Sequence, residues 1–188
     1  MLLIYNKMNK LENKISSLKE YQELAERTCA SLATKRLNNL HMKMGLITEL
    51  AEAIDVYKKK IAYNKDIDYV NLQEELIGDV LWYAVNYCRI NDIELPKLKE
   101  NIKPTDGFDD VDYVMWLFEL TELSIKPKKN IQNIIQTIYI ISVYLNFDFY
   151  QSLTNNINKL MVRYPEKFDT DKAINRDLNT ERKRLEDK

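Results

Sequence analysis

Glycine and proline are scarce in this chain, three and four among 188 residues, which leaves too few tight turns for a meander of short strands and points to long helices. Cysteine is nearly absent as well. The two present, Cys29 and Cys88, sit in helical patterns without metal-ligand spacing, so free thiols in a reducing compartment are expected. Excess charge of either sign is missing: 28 Lys and Arg stand against 29 Asp and Glu, which offers no overall attraction to nucleic acid or an anionic membrane. No window reaches the roughly 20 apolar residues of a membrane span, and the opening MLLIYNK is too short for a signal peptide, so a soluble cytoplasmic protein is expected. A GxxxxGK loop is missing too, so any phosphate chemistry has to be centred on a metal.

What is there is helical periodicity. Leu11, Ile15, Leu18 and Leu24 predict an amphipathic first helix running to about Glu26. A second, over about 36–61, carries Leu37, Leu40, Met44, Ile47, Ala51, Ile54 and Tyr57 as its expected seam and ends in the basic run Lys58, Lys59 and Lys60. A third, over about 69–91, has an apolar surface wide enough for a central helix, with Leu76, Val80, Leu81, Trp82, Tyr83 and Val85. The stretch ELPKLKENIKP reads as a short helix opening on Pro96, and TDGFDD as a turn that places a boundary near 104–109. The expected fold class is an all-α helical bundle, one domain over 1–188. Its parts are an equipped hairpin half (21–104), a second hairpin (109–164) and a C-terminal helix or tail (165–188). WLFELTELSIKPKKN, from Trp116, echoes GLITELAEAIDVYKKK and pairs Glu119 and Glu122 with Glu49 and Glu52. Where carboxylates would follow, the second copy has Gln132, Asn133 and Gln136, so the segment reads either as a degenerate repeat or as an unrelated amphipathic hairpin.

Within GLITELAEAID, Glu49 and Glu52 interrupt a run that otherwise suits a buried stripe. They are three apart, and Glu75 and Asp79 in the next helix are four apart, so each pair projects from one face of its helix. Antiparallel neighbours would bring the pairs together in an apolar seam. Four carboxylates there stay ionised only if cations neutralise them, and all-oxygen donors select hard divalent ions, chiefly Mg²⁺ with Mn²⁺ as the alternative. ExxE alone is common in so acidic a chain, and the competing reading is a solvated acidic face with Glu74 in water.

YQELAERT, GLITELAEAIDVYKKK, NLQEELIGDVLWYAV and NKLMVRYPEKFDTDKAINRD, in that order, resemble the MazG-like all-α nucleoside triphosphate pyrophosphohydrolases, specifically the short phage- and virus-type members. The resemblance covers about 21–95 and 156–178, and the intervening stretch has no counterpart in the shortest members. It implies an enzyme that hydrolyses a nucleoside triphosphate to the monophosphate and pyrophosphate by attack at the α-phosphate, in the cytoplasm of a host cell if viral. It implies Mg²⁺ held by residues matching Glu49, Glu52, Glu75 and Asp79, either in a homodimer or in a pseudo-dimer within one chain. Family members space the second pair as ExxD. ELIGD here has one residue more, which a π-bulge would absorb, or else Glu74 would take the role of Glu75. Lys59, Lys60, Lys159 and Arg163 are candidate phosphate contacts, and each lysine also reads as a solvated helix end. Trp82 and Tyr83 are candidates to stack on a base, or core residues, and Asn156, by family analogy, to read a polar edge of the nucleotide. His41 has no catalytic partners in view and reads as packing at a pocket edge. Rival expectations are an inactive nucleotide-binding module and a helical interaction protein.

Overall fold

Short polar side chains decide where the helices start. In the computed structural model, which describes residue 11 and residues 13–186, Ser17 caps α1 (Leu18–Glu26) by accepting the Glu20 N–H. Thr34 likewise caps α2 (Lys35–Tyr63), and Asp68 caps α3 (Tyr69–Gln73), which continues through a π-helical turn (Glu74–Asp79) into α4 (Val80–Ile90). Asp109 and Asp112 form a reciprocal capping box at the head of α5 (Asp110–Ile125), Pro127 opens α6 (Pro127–Tyr144), and Asp148 caps α7 (Phe149–Arg163). Two short helices, α8 (Thr170–Ile174) and α9 (Leu178–Glu186), complete the chain. Each side-chain cap contributes about 1 kcal/mol. Left-handed backbone closes four turns among the described residues: α2 stops at Asn64 with φ 50°, Asp92 (φ 56°) follows α4, Asn146 (φ 55°) follows α6, and the turn before α5 uses Gly107 at φ 97°.

The described residues contain no strand, and the fold is an all-α bundle. α2 and α4 run antiparallel, pinned where Asn91 at the end of α4 donates its amide to Asn39 near the start of α2. α5 lies along α2, with Tyr113 stacked on Tyr57 at 6.0 Å, and α6 returns across α4 and the π turn. α7 is the central rod. It packs against α1, the π turn, α6 and α9, so every residue from Ser152 to Met161 is buried, the polar ones included. Two of them hold the chain before α1: Thr154 accepts the Ile15 N–H and Asn158 Oδ1 the Leu11 N–H. Among the described residues no helix is long and apolar enough to cross a membrane. Cys29 and Cys88 are free thiols. The apolar opening MLLIYNK lies outside the described residues.

Four local expectations need correction. The first helix begins at Leu18, not near Leu11, because the Leu11 and Ile15 N–H groups find their acceptors on α7 and the Ser16 N–H on the Glu20 side chain. The segment after Pro96 is not helical. It is short, lysine-rich and bounded by prolines, below the length at which a helix nucleates unaided, and it is laid over α6, where Gln132 donates to the Glu94 carbonyl and Gln136 accepts the Lys99 N–H. The seam of α2 is displaced: Met42, Leu46, Leu50, Ala53 and Tyr57 are buried, whereas Leu37, Leu40 and Met44 are about half exposed. Glu74, the fourth, is not in water but buried. In the second hairpin, α5–α6, Glu119 and Glu122 point to solvent.

Candidate functional site

The π turn decides how the carboxylates meet. In an α-helix a residue four places on comes round slightly past the starting face; a π turn is wider and accommodates one residue more. The Val80 N–H donates to the Glu75 carbonyl five residues back, so the extra residue of ELIGD is taken up between Glu75 and Asp79, and both side chains reach the same cavity. The wider turn also points Glu74 inward. Gly78 makes room for this: a Cβ there would stand 2.7 Å from Glu74 Oε2 and 2.8 Å from Asn156 Nδ2.

Across from the turn, α2 presents Glu49 and Glu52 one turn apart. Carboxylate oxygens of Glu49, Glu52 and Glu75 lie within 4.8 Å of one another. Asp79 stands beside them but is held from behind. Lys159 Nζ donates to both of its oxygens, at 2.8 and 2.9 Å, and also pairs with Glu74. Asn156 donates one amide hydrogen to Glu74 Oε1 at 2.9 Å and the other to Asp79 Oδ1 at 3.0 Å. The buried Tyr21 hydroxyl, shared between the Gly78 carbonyl and Asn156 Oδ1, closes the network.

The electrostatics follow from this crowding. Burial, then the charges of Asp79 and Glu52, push the Glu49 carboxyl up to about 7. The same influences, with Glu49 added, push Glu75 up to about 9. Burial also raises Glu74, against the pull of Lys159. For Lys159 burial opposes the charge, yet Asp79 and Glu74 outweigh it and hold the ammonium firmly protonated. Either protons or an added cation would relieve this crowding, and a cation would displace the protons. Its donors are all carboxylate oxygens, the set that hard divalent ions prefer, and the buried network behind Asp79 fixes one wall of the pocket.

The carboxylates open onto a cavity of about 450 Å³. Trp82 and Tyr83 meet edge to face at 4.9 Å, with His41 against the Tyr83 ring at 5.6 Å, and together they form an aromatic wall. Tyr83 lies so close to α2 that a Cβ on Gly45 would enter its ring, at 2.1 Å. Trp82 is nearly buried and donates its indole N–H to Thr28 at 2.9 Å, so its ring is fixed. Lys159, Arg163 and Arg176 supply the positive side.

The candidate residues thus separate by position. Glu49, Glu52, Glu75, Asp79, Trp82, Tyr83, Lys159 and Arg163 line one cavity. Lys59 pairs with Asp55 and lines a neighbouring groove shared with Glu52 and Glu75. Lys60 is not among the residues lining either space. Asn156 is fully buried with its amide committed to Glu74 and Asp79, so it orients the carboxylates and does not face a ligand. Lys159 is likewise engaged, by Glu74 and by both oxygens of Asp79. Sequence reasoning missed Tyr21 and Arg176; His41 stands at the pocket edge as expected, and Glu74, expected either in water or in the place of Glu75, is instead buried beside Lys159. The Glu74–Glu75 doublet was a visible signal for Glu74, whereas Arg176 sits in a loop whose approach to the cavity no helical periodicity reveals. No protein-family model, curated protein or solved structure matches this chain.

Proposed function

We propose that this protein is a Mg²⁺-dependent nucleoside triphosphate pyrophosphohydrolase that converts a nucleoside or deoxynucleoside triphosphate to the monophosphate and pyrophosphate, serving nucleotide-pool control. The observation that carries the reading is the convergence of Glu49, Glu52 and Glu75 oxygens within 4.8 Å across α2 and the π turn, with Asp79 alongside. The sequence blocks that resemble MazG-like pyrophosphohydrolases supply the reaction and its bond. Glu49, Glu52, Glu75 and Asp79 would hold the cation, which when bound supplies the Lewis-acid charge that phosphoryl transfer demands; Mn²⁺ would serve in its place.

The chain's own residues do the rest. Lys159, Asn156 and Tyr21 hold Asp79 and Glu74 in place, so the carboxylate wall is organised before substrate enters. Glu52, the most exposed of the three converging carboxylates, is placed to accept a proton from an attacking water. Trp82 and Tyr83 offer a fixed aromatic wall to a base, and Arg163 a fork of donors to phosphate oxygens.

A second reading, nucleotide binding without turnover, is favoured by one observation. Both Asp79 oxygens are engaged by Lys159, which leaves three carboxylates in the converging set. One experiment separates the two. A panel of nucleoside triphosphates is incubated with Mg²⁺ and scored for monophosphate, pyrophosphate and phosphate, with Glu52→Gln as control. Pyrophosphate release that Glu52→Gln abolishes supports the enzyme. Release of orthophosphate contradicts the assigned bond, and Mg²⁺-dependent nucleotide binding without any product supports the second reading.

A further inference from the structure

Glu181 is an unexplained buried charge. It lies on α9, near the end of the chain, and is only 3% exposed. Its carboxylate accepts from Arg163 Nε at 2.8 Å and from Arg176 Nη2 at 2.8 Å, with a second Arg163 contact completing a bidentate fork. Both arginines also line the carboxylate cavity. Arg163 follows Lys159 by one turn of α7, and Lys159 touches Asp79, so the arginine belongs to the wall that adjoins the acidic cluster. The cavity is therefore polarised, carboxylates first and arginines next.

A carboxylate gripped by two guanidinium groups has the chemistry of a bound phosphate oxygen pair: planar forks of donors around a compact anion. Burial works against the charge on Glu181, and the two arginines nevertheless hold its carboxyl below the ordinary range. The grip does not exhaust the donors. Each guanidinium offers five N–H groups, and the contacts to Glu181 use two nitrogens of Arg163 and one of Arg176. Arg176 is also 42% exposed, so it is free to turn toward a ligand in the cavity without leaving a packed core.

We propose that Arg163 and Arg176 form a two-armed clamp for the pyrophosphate end of a polyphosphate chain, and that Glu181 is a resident anion which holds the clamp together until phosphate competes for it. The identity of the anion rests on the hydrolase reading above. The clamp adds Arg176 as a binding residue, and two arms beside a carboxylate wall suit a diphosphate or triphosphate ligand, which presents more than one phosphate to the same cavity. Glu181 sets a threshold, because the ligand has to displace an ionised carboxylate and not merely water.

The test titrates inorganic pyrophosphate into the full chain by calorimetry without divalent cation, so that no turnover enters. Arg176→Ala is expected to weaken pyrophosphate binding about tenfold, the loss of one charge-assisted contact, and Arg176→Lys to restore only part of it. Glu181→Gln keeps a hydrogen-bond acceptor but removes the competing charge, and is expected to tighten binding about fivefold. Thermal melts of each variant verify the fold, and the exposure of Arg176 keeps its variants measurable even where Glu181→Gln is poorly stable. Pyrophosphate affinity unchanged by Arg176→Ala, or weakened by Glu181→Gln, overturns the clamp. Arginine-dependent pyrophosphate binding without turnover of any triphosphate keeps the clamp and removes the enzyme. Triphosphate turnover alongside an affinity indifferent to Arg176 does the reverse.

Discussion

Replacing Lys159 by Met takes a positive charge away from two carboxylates, of which Asp79 opens onto the cavity and Glu74 has almost no access to water. The lysine side chain is 4% exposed and the Glu74 side chain 7%, so water does not replace the lost ammonium. Asn156 still donates to Glu74 and Asp79, but a neutral amide does not balance two charges. Breaking a buried pair by removing one partner costs about 3–5 kcal/mol. For a chain of this size that lowers the melting temperature by about 6–20 °C. The loss should depend on pH in a defined direction. Burial already raises the Glu74 carboxyl, and without Lys159 nothing opposes the rise. A carboxyl raised on folding favours the folded state fully below its unfolded value and loses that contribution as pH rises through the folded one. The deficit of Lys159→Met should accordingly be smaller at pH 5 than at pH 8, and adding Glu74→Gln should restore part of the stability at pH 8, because the two sites are directly coupled. Calorimetric melts of the four proteins at both pH values measure this. A Lys159→Met protein within about 1 kcal/mol of wild type at pH 8, or a double variant simply additive, refutes the buried network.

The same linkage applies to the metal-free cluster. Glu49 and Glu75, raised to about 7 and about 9, should make the protein lose stability as pH rises from about 5 to 9, and Mg²⁺ should flatten the slope; melts with and without Mg²⁺ that run parallel would count against a shared ion. Gly78→Ala places a Cβ within 3 Å of Glu74 and Asn156 and should destabilise by about 1–3 kcal/mol, read by denaturant unfolding. Trp82→Phe removes the donor to Thr28 and should cost about 1 kcal/mol, with a larger loss in nucleotide affinity than in stability if the aromatic wall holds the base.

The existence of α2 and of the helix through the π turn was legible because apolar residues recur at helical spacing across both. The phase of α2 was not. MKMGLITEL offers two stripes offset by one or two residues, Met42 with Leu46 and Met44 with Ile47, and only the partner helices select the first. The extra residue in ELIGD was visible as a spacing anomaly, and the structure resolves it as a π turn with Glu75 in the converging set. The Glu74–Glu75 doublet marked Glu74 as a candidate, but its burial was not legible, since it depends on a lysine far along the chain. Arg163 shows the same limit. As an isolated cation in RYPEKF it reads as ready for phosphate, yet its counter-charge lies in a tail whose polar composition gives no hint of a buried glutamate. Helix formation follows from neighbours in sequence, whereas the partners of a buried charge follow from packing.

Manganese binding tests the central claim most directly. The free-ion Mn²⁺ resonance is followed as wild-type protein and Glu52→Gln are titrated into a fixed Mn²⁺ concentration, with melts verifying that the exposed Glu52 leaves the fold intact. A site shared by Glu49, Glu52 and Glu75 predicts that wild type removes the signal in a saturable way, that Mg²⁺ restores it, and that Glu52→Gln binds at least about tenfold more weakly. A signal that wild type leaves untouched, or that both proteins remove equally, would mean that no common ion joins α2 to the π turn.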